Sequence, residues 1–243
     1  MTDGLTARQT QILKSLIDEY IETAEPVGSE SLEKRYNLRV SPATIRNEMV
    51  FLTNAGFLRQ PHTSAGRVPS PKAMKFYISQ LMQEEQMSLT DEVKAKEEVW
   101  DSRKDIDELL SEATQGLAER TKSLAVAAIS GREKIWHSGY ANIFSNPEFA
   151  DLSICESLFS FLEEVGKINQ LFFGYEYSSP INVFFGEELG WPNFSPVGVV
   201  ATHFNIQGKE GGLGVVGPVR ISYSRVIPIV KYFRNLIEEV ANV

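Results

Sequence analysis

The stretch SPATIRNEMVFLTNAG (residues 41–56) carries the signals of one complete helix. Ser41 can cap the first turn with its side-chain oxygen, and Pro42 suits the first helical position because no amide donor is lost there. Gly56 is a typical C-terminal stop. The stretch therefore predicts a helix that runs from Ser41 to Ala55.

A helical wheel separates two faces of this helix. Ile45, Met49 and Leu52 fall within about 40° of one another, so we expect them to face a core. The opposite side carries Ala43, Asn47, Val50 and Asn54, with Thr44 and Arg46 on its flanks. This outward side is either a solvated polar face or the reading face of a recognition helix.

The preceding residues favour a recognition helix. Thr6 and Gln9 have the spacing of a capping box, and about four turns of apolar periodicity follow them. Ser29 can cap a short second helix that ends near Tyr36, and residues 37–40 form a tight turn. Short helix, tight turn and third helix are the order of a helix-turn-helix unit.

The following residues predict a wing. Residues 57–60 and 67–69 are short extended runs around the loop 61–66, which is the layout of a hairpin. The loop and its end offer compact donors for phosphate or minor-groove contact, namely His62, Thr63, Ser64 and Arg67. No metal site is predicted, because His62 shares no ligand spacing with the other histidines or with the single cysteine.

Charge is distributed unevenly along the chain. The formal net charge is −8, yet residues 34–78 hold eight Lys and Arg and one Glu, a net +7, so the remainder carries −15. The basic stretch is either a chance cluster of solvated side chains or a nucleic-acid-binding module joined to an acidic one. Together with the helix order and the wing, it favours binding to double-stranded DNA.

The outward residues have the chemistry to read bases. A recognition helix enters the major groove by its N-terminal part, where the backbone amides also favour phosphate. Asn47 can pair with adenine, Arg46 with guanine or a phosphate, and Ala43 or Val50 can contact a thymine methyl. The predicted DNA-binding residues are Ser41, Ala43, Thr44, Arg46, Asn47, Val50, His62, Thr63, Ser64 and Arg67.

Length and composition set the broad class. A chain of 243 residues suggests two domains, and 42% hydrophobic residues suffice for real cores. No run of 18 apolar residues predicts a membrane span, and the first residues lack the features of a secretory signal. The single cysteine, Cys155, cannot form an intramolecular disulfide, which favours a cytoplasmic location.

Residues 81–122 predict a helical linker. Its second half carries an apolar stripe of Ile106, Leu109, Leu110, Ala113 and Leu117. This segment is a solvated linker, a surface that pairs with a second copy, or a helix packed on its own C-terminal domain, and we favour the last.

Residues 123–243 predict an α+β domain. Apolar runs at 124–129, 181–185, 197–200 and 213–216 predict strands of a mixed sheet flanked by helices, including a last helix at about 223–240. Residues 205–212 predict a turn-rich hairpin connection. The chain is thus α+β, with domains at 1–80, 81–122 and 123–243.

Three long stretches of the sequence resemble those of a known protein family. They are ETAEPVGS (22–29), VSPATIRNEM (40–49) and QPHTSAGRVP (60–69), and they are joined further on by NPEF (146–149), FGEE (185–188), GVVGPVR (214–220) and YSRVIP (223–228). In these strings, the chain closely resembles the HrcA family of bacterial heat-inducible transcription repressors.

The resemblance implies a repressor of heat-shock and chaperone genes. It implies an N-terminal winged helix-turn-helix, a C-terminal GAF-like domain, an inverted-repeat (CIRCE-type) operator, a homodimer and the GroE chaperonin as partner. In the family, a dimerising domain is inserted after the strand resembling residues 123–129, whereas here only residues 130–138 precede the segment resembling 139–142. The chain is therefore a shortened member, and we expect its dimer contact elsewhere, because an inverted repeat calls for a two-fold protein.

Two other function classes compete with the repressor. The alternative is a winged-helix regulator whose GAF-like domain senses a small ligand, and a third is an enzyme with a DNA-binding arm. The pattern Gly212-x-Gly214-x-x-Gly217 matches a dinucleotide fingerprint, but it lies within a predicted strand and Pro218 follows it, so close strand packing accounts for it better. No P-loop or nucleophile elbow is present, so we predict neither an enzyme nor a cofactor.

Overall fold

A computed structural model describes residues 4–175 and 179–242, and the chain divides into two compact units, Met1–Gln83 and Glu84–Val243. The predicted boundaries 1–80, 81–122 and 123–243 remain a prediction for the domains. The first unit contains α1 (Ala7–Thr23), α2 (Ser29–Arg35), α3 (Pro42–Asn54), β1 (Leu58–Arg59), β2 (Val68–Pro69) and α4 (Pro71–Phe76), which continues into a π-helical turn at Tyr77–Leu81.

The first two helices begin by different means. In α1 the predicted capping box is present, because the amide of Gln9 donates to Thr6 Oγ1 at 3.3 Å and the amide of Thr6 donates to Gln9 Oε1 at 2.9 Å. The prediction for α2 is wrong by one residue. Gly28 is the N-cap and makes no side-chain bond, whereas Ser29 is the first helical residue and its side chain is buried.

Helix α3 follows the prediction closely. Ser41 caps it by accepting from the amide of Thr44 at 3.3 Å, and Pro42 opens its first turn. Ile45, Met49 and Leu52 are buried where α3 packs on α1 and α2. The helix is therefore fixed by its apolar face, and the opposite face is left to solvent.

The hairpin after α3 is short but anchored. β1 and β2 pair antiparallel, with Leu58 opposite Pro69 and Arg59 opposite Val68. An isolated bridge between Val27 and Arg67 extends the pairing toward the start of α2. The loop 60–67 thus projects from a base that is tied to the helices on both sides.

The second unit is a five-stranded sheet with helices on both faces. Its elements are α5 (Leu89–Trp100), α6 (Ile106–Thr121), β3 (Leu124–Ile129), β4 (Ile135–Ser138), α7 (Tyr140–Ile143), a 3-10 turn at Pro147–Phe149, α8 (Leu152–Glu163), α9 (Val165–Phe173), β5 (Ile181–Phe185), α10 (Gly186–Leu189), β6 (Val197–Ile206), β7 (Lys209–Pro218) and α11 (Tyr223–Ala241).

The strand order is β4-β3-β7-β6-β5, and every pairing is antiparallel. The prediction of a mixed sheet is therefore wrong. β6 and β7 continue much further than the predicted runs, and only Gln207 and Gly208, both with positive φ, form the turn between them. The predicted hairpin connection at 205–212 is therefore present, but its turn is confined to two residues, and the other residues of that range continue β6 and β7.

Each face of the sheet packs on its own pair of helices. Side chains of β3, β6 and β7 join buried residues of α8 and α9 in one core, whereas α6 and α11 cover the other face. Every residue of β3 is buried, as a central strand covered on both sides requires.

The segment predicted as a linker belongs to this packing. In α6 the predicted stripe is buried at Leu109, Leu110, Ala113 and Leu117, and α5 packs on α6 and α11. Asp107 at the start of α6 binds both Arg132 (3.0 Å) and Lys134 (2.9 Å) in the β3–β4 turn. Hydrogen bonding from Lys134 holds the pKa of Asp107 below its usual value. The interpretation in which this helix packs on its own domain is therefore the correct one.

Candidate nucleic-acid interface

The outward face of α3 presents the predicted reading residues to solvent. Ala43, Arg46, Asn47 and Val50 are exposed, and Thr44 is half-buried. Within the part of the chain that the structure describes, neither the guanidinium of Arg46 nor the side-chain amide of Asn47 takes part in a hydrogen bond or ion pair. Their polar groups are therefore available to a ligand without breaking an internal contact.

The one acidic side chain of α3 points away from this face. Glu48 accepts a hydrogen bond from Gln9 Nε2 at 3.0 Å and lies 3.6 Å from the Arg8 guanidinium. Both partners come from α1, so the carboxylate is neutralised on the inner flank of the helix. A polyanion at the outward face would not meet an unpaired carboxylate of α3.

The start of α3 uses its hydroxyls internally. Ser41 Oγ lies 3.0 Å from Thr44 Oγ1 in addition to accepting from the Thr44 amide. Ser41 therefore acts as a cap, and its predicted contact with DNA has to coexist with that bond.

The hairpin loop is closed by a side chain that the sequence analysis missed. Gln60 donates from Nε2 to the carbonyls of Thr63 (2.9 Å) and Ala65 (3.0 Å). At the tip, His62 Nδ1 lies 3.2 Å from Ser64 Oγ, and His62, Thr63 and Ser64 are all exposed. In the sequence, the only indication of this role is that Gln60 directly precedes a loop rich in small residues.

Arg67 lies at the base of the loop. It is half-buried, and its Nε donates to Thr53 Oγ1 on α3 at 3.2 Å. Its backbone exchanges hydrogen bonds with Val27 at 2.9 and 2.8 Å. The structure thus gives Arg67 a role in joining the hairpin to the helices, alongside its predicted phosphate contact.

A groove of about 390 Å³ connects α3 with the hairpin. Its lining includes Arg46 and Arg67 from the predicted set, together with Thr63 and Ser64. Gly66 also lines it, and a Cβ at this position would stand 2.4 Å from the carbonyl oxygen of Val27. The close approach therefore requires glycine here. Four predicted residues meet at this groove, whereas Ala43, Asn47 and Val50 lie on the outer surface of α3 and His62 at the loop tip.

One basic residue of the 34–78 stretch does not contribute to an outward positive surface. Arg35 makes ion pairs with Glu19 and Glu22, both at 2.8 Å. Hydrogen bonding to Glu19 raises the pKa of the Arg35 guanidinium above its usual value. The net +7 counted along the sequence thus overstates the charge that a ligand meets.

Other kinds of site find no support in the described ranges, 4–175 and 179–242. There, no three His, Cys, Asp or Glu side chains cluster so as to hold a metal ion. Nor does any helix in these ranges have the length and apolarity to cross a membrane.

Comparison with known families identifies the chain. A family model described as HrcA protein C terminal domain matches residues 50–227, from the second half of α3 into α11. The chain belongs to the HrcA family.

Two curated relatives in the HrcA family match along nearly their whole length, and a third matches over a shorter stretch. The heat-inducible transcription repressor HrcA of Carboxydothermus hydrogenoformans is 25% identical, over 96% of this chain and 97% of the relative. The repressor of the same name from Moorella thermoacetica is 26% identical, over 92% and 94%. That of Acetivibrio thermocellus is 41% identical over 125 residues, which are 51% of this chain and 36% of the relative.

The first of these alignments also shows that the chain is short for the HrcA family. It spans 333 positions, although the chain has 243 residues, so more than a quarter of the positions face gaps in this chain.

A solved structure of a hypothetical protein shares the fold, with a TM-score of 0.74 over 98% of both chains at 18% identity.

Proposed function

We propose that this chain is a cytoplasmic, non-enzymatic transcription repressor of heat-shock and chaperone genes that binds an inverted-repeat (CIRCE-type) operator as a homodimer. In this proposal, the first unit is a winged helix-turn-helix, with α3 as recognition helix and the loop 60–67 as wing. The second unit is GAF-like and regulatory, and the GroE chaperonin is a partner. Membership of the HrcA family supports the proposal, because its curated members are named heat-inducible transcription repressors.

One observation carries the DNA-binding part. Asn47 on the outward face of α3 and Arg46 on its flank are both exposed, and neither side chain has an internal hydrogen bond or ion pair in the described residues. An amide and a guanidinium are the groups that pair with adenine and guanine edges in the major groove. The N-terminal part of α3 enters that groove, and the positive end of the helix dipole favours a nearby phosphate.

From the groove beside α3 we propose roles for the remaining residues. Thr63, Ser64 and the Arg46 guanidinium converge there, so a phosphate seated in it would receive donors from helix and wing together. His62 at the tip reaches the next phosphate or the minor groove. Phosphate contacts position the protein, and the base contact of Asn47 provides the sequence preference.

The test is binding to promoter DNA of the source genome. Footprinting identifies a protected inverted repeat, and fluorescence anisotropy then compares that duplex with a scrambled duplex of the same composition. We expect a preference of at least about 10³-fold for the repeat. About six phosphate contacts predict a loss of about 10³-fold in affinity between 50 and 200 mM salt. Equal affinity for both duplexes, or affinity insensitive to salt, would contradict the proposal.

A further inference from the structure

The outward side of α3 carries two exposed apolar side chains. Within residues 4–83, the large hydrophobic side chains that are exposed are Val50 (45%) and Phe51 (46%), and both lie on this helix. Val50 belongs to the predicted reading face, whereas the helical wheel assigned Phe51 to neither face. Scattered single apolar side chains are ordinary on a protein surface, but an adjacent pair on a candidate reading face indicates a ligand with apolar groups.

The packing of the first unit does not account for Phe51. Among the described residues, no aromatic ring or cation stacks on its ring. The apolar face of α3 is complete without it, because Ile45, Met49 and Leu52 are buried against the other helices. Phenylalanine is also a weaker helix former than alanine. Neither the core nor the helix therefore explains an aromatic side chain at this position.

Phe51 stands beside the amide that we propose to read a base. It follows Asn47 by four residues, so the two lie about 40° apart around the helix axis and about 6 Å apart along it. Arg46 lies about 100° from Asn47 on the other side, toward the groove beside the hairpin. The exposed surface of α3 therefore runs from the guanidinium of Arg46 through the amide of Asn47 to the ring of Phe51.

The carboxylate one turn before Phe51 does not oppose DNA at this surface. Glu48 precedes Phe51 by three residues, and its side chain is bound by Gln9 and by Arg8, both on α1. A base edge can therefore approach the ring without meeting an unpaired negative charge of α3.

The major groove offers one apolar group, the 5-methyl of thymine, and phenylalanine is among the side chains that contact it. We propose that Phe51 is a specificity-determining residue that packs its ring on the 5-methyl of one thymine in each half-site. The inference rests on the proposed function, because it requires α3 to lie in the major groove of an operator. Base pairs are about 3.4 Å apart, so this thymine lies within about two base pairs of the adenine that Asn47 reads.

Val50 supplies the matched control. Its exposed fraction is almost the same and it lies in the same helical turn, but it points about 100° away from Phe51 around the axis. Two side chains that diverge by this angle contact different bases. Truncation of Val50 therefore tests whether any exposed apolar group on α3 produces the effect that we assign to Phe51.

The first experiment removes the methyl group from the DNA and leaves the protein unchanged. Each thymine of the operator is replaced in turn by uracil, which lacks only the 5-methyl group, at equivalent positions of both half-sites. Fluorescence anisotropy with the full chain should show a loss of about fourfold in Kd for each half-site at the thymine under Phe51, which corresponds to the burial of one methyl group. Wild-type binding that no uracil weakens would overturn the inference.

The second experiment repeats the scan with three variants. Phe51→Ala should bind the thymine and uracil duplexes equally at this position, and Phe51→Leu should keep at least a twofold preference, because leucine still offers an apolar side chain. Val50→Ala should keep the full preference there and lose affinity through a different base. The ratio of the two affinities does not depend on the fraction of active protein, so a change in stability does not mimic the result. A Phe51→Ala variant with the wild-type preference at every thymine, or a Val50→Ala variant that loses it at the same thymine as Phe51→Ala, would refute the assignment.

The position of the thymine provides a geometric check. The base read by Asn47 is located by the loss of preference in Asn47→Ala. A thymine that depends on Phe51 but lies more than about four base pairs away would contradict the contact, because the two residues are only about 6 Å apart along α3.

The scrambled duplex separates this inference from the proposed function. If the wild type prefers the repeat but Phe51→Ala weakens operator and scrambled duplex equally, the ring contacts the sugar–phosphate backbone and the inference fails alone. If the wild type shows no preference for the repeat, the proposed function fails and the inference fails with it.

Discussion

Replacing Asn47 with alanine tests the reading face of α3, and the chain supplies its own control. Asn54 is an exposed asparagine on the same helix, seven residues later, so it lies only about 20° away around the axis and about 10 Å further along it. If only the N-terminal part of α3 enters the major groove, Asn47→Ala and Asn54→Ala should differ sharply in their effect on DNA binding.

The magnitudes follow from what each side chain contacts. Asn47 has no internal hydrogen bond in the described residues, so its truncation leaves no buried group unpaired. Alanine is the better helix former by about 0.5 kcal/mol, which predicts a Tm that is unchanged or about 2–4 °C higher. Loss of a bidentate contact with adenine costs about 1–3 kcal/mol, or about 5- to 150-fold in Kd. For Asn54→Ala we expect less than about twofold.

The assay is fluorescence anisotropy at fixed salt with the operator, a scrambled duplex, and operators substituted at each position in turn. Asn47→Ala should weaken operator binding, leave the scrambled duplex unaffected, and lose its preference at one base position. An equal loss on operator and scrambled duplex would show that Asn47 contacts the backbone. An equal loss for Asn54→Ala would show that α3 does not enter the groove by its N-terminal part.

Two further pairs of substitutions test the packing of β7 and the base of the loop 60–67. Gly212→Ala should destabilise the protein in urea by about 1–3 kcal/mol, because a Cβ there would lie 2.2 Å from the ring of Phe172, whereas Gly166→Ala, with nothing within 4 Å, should be neutral or stabilising. A neutral Gly212→Ala would mean that the ring can move aside. Arg67→Ala should destabilise the protein by about 1–2 kcal/mol and weaken binding to all duplexes, and Thr53→Val should match its loss of stability but keep more of the binding. If both variants lose binding equally, the charge of Arg67 does not contact phosphate.

The sequence was informative where a structure depends on neighbours three or four residues apart. The capping box at Thr6 and Gln9, the cap at Ser41 and the buried face of α3 all depend on local spacing, and the structure has each of them. The same periodicity placed Asn47 and Arg46 on the exposed side. The candidate reading face was therefore predictable because it lies on one helix.

Features that depend on distant parts of the chain were not predictable. The carboxylates that pair with Arg35 lie on α1, and the hydroxyl that accepts from Arg67 belongs to Thr53 on α3; sequence spacing marks none of these partners. The sequence predicted a hairpin at 205–212 but did not show that only Gln207 and Gly208 form its turn, because the glycines that follow, Gly211, Gly212 and Gly214, resemble a loop. These glycines lie inside β7, where Phe172 and the backbone of β6 approach too closely for a side chain.

The two helices that follow the first unit show how the fold decides which apolar stripe is free. By sequence, α6 has the longer stripe and α5 has more charged residues, so pairing with a second copy would be assigned to α6. In the structure the sheet and α11 bury the α6 stripe, and α5 buries only Ala95 and Val99. A helix with apolar residues on two sides can bury one of them within its own unit and leave the other exposed. Leu89 and Val93 are thus exposed because α5 packs through its other side.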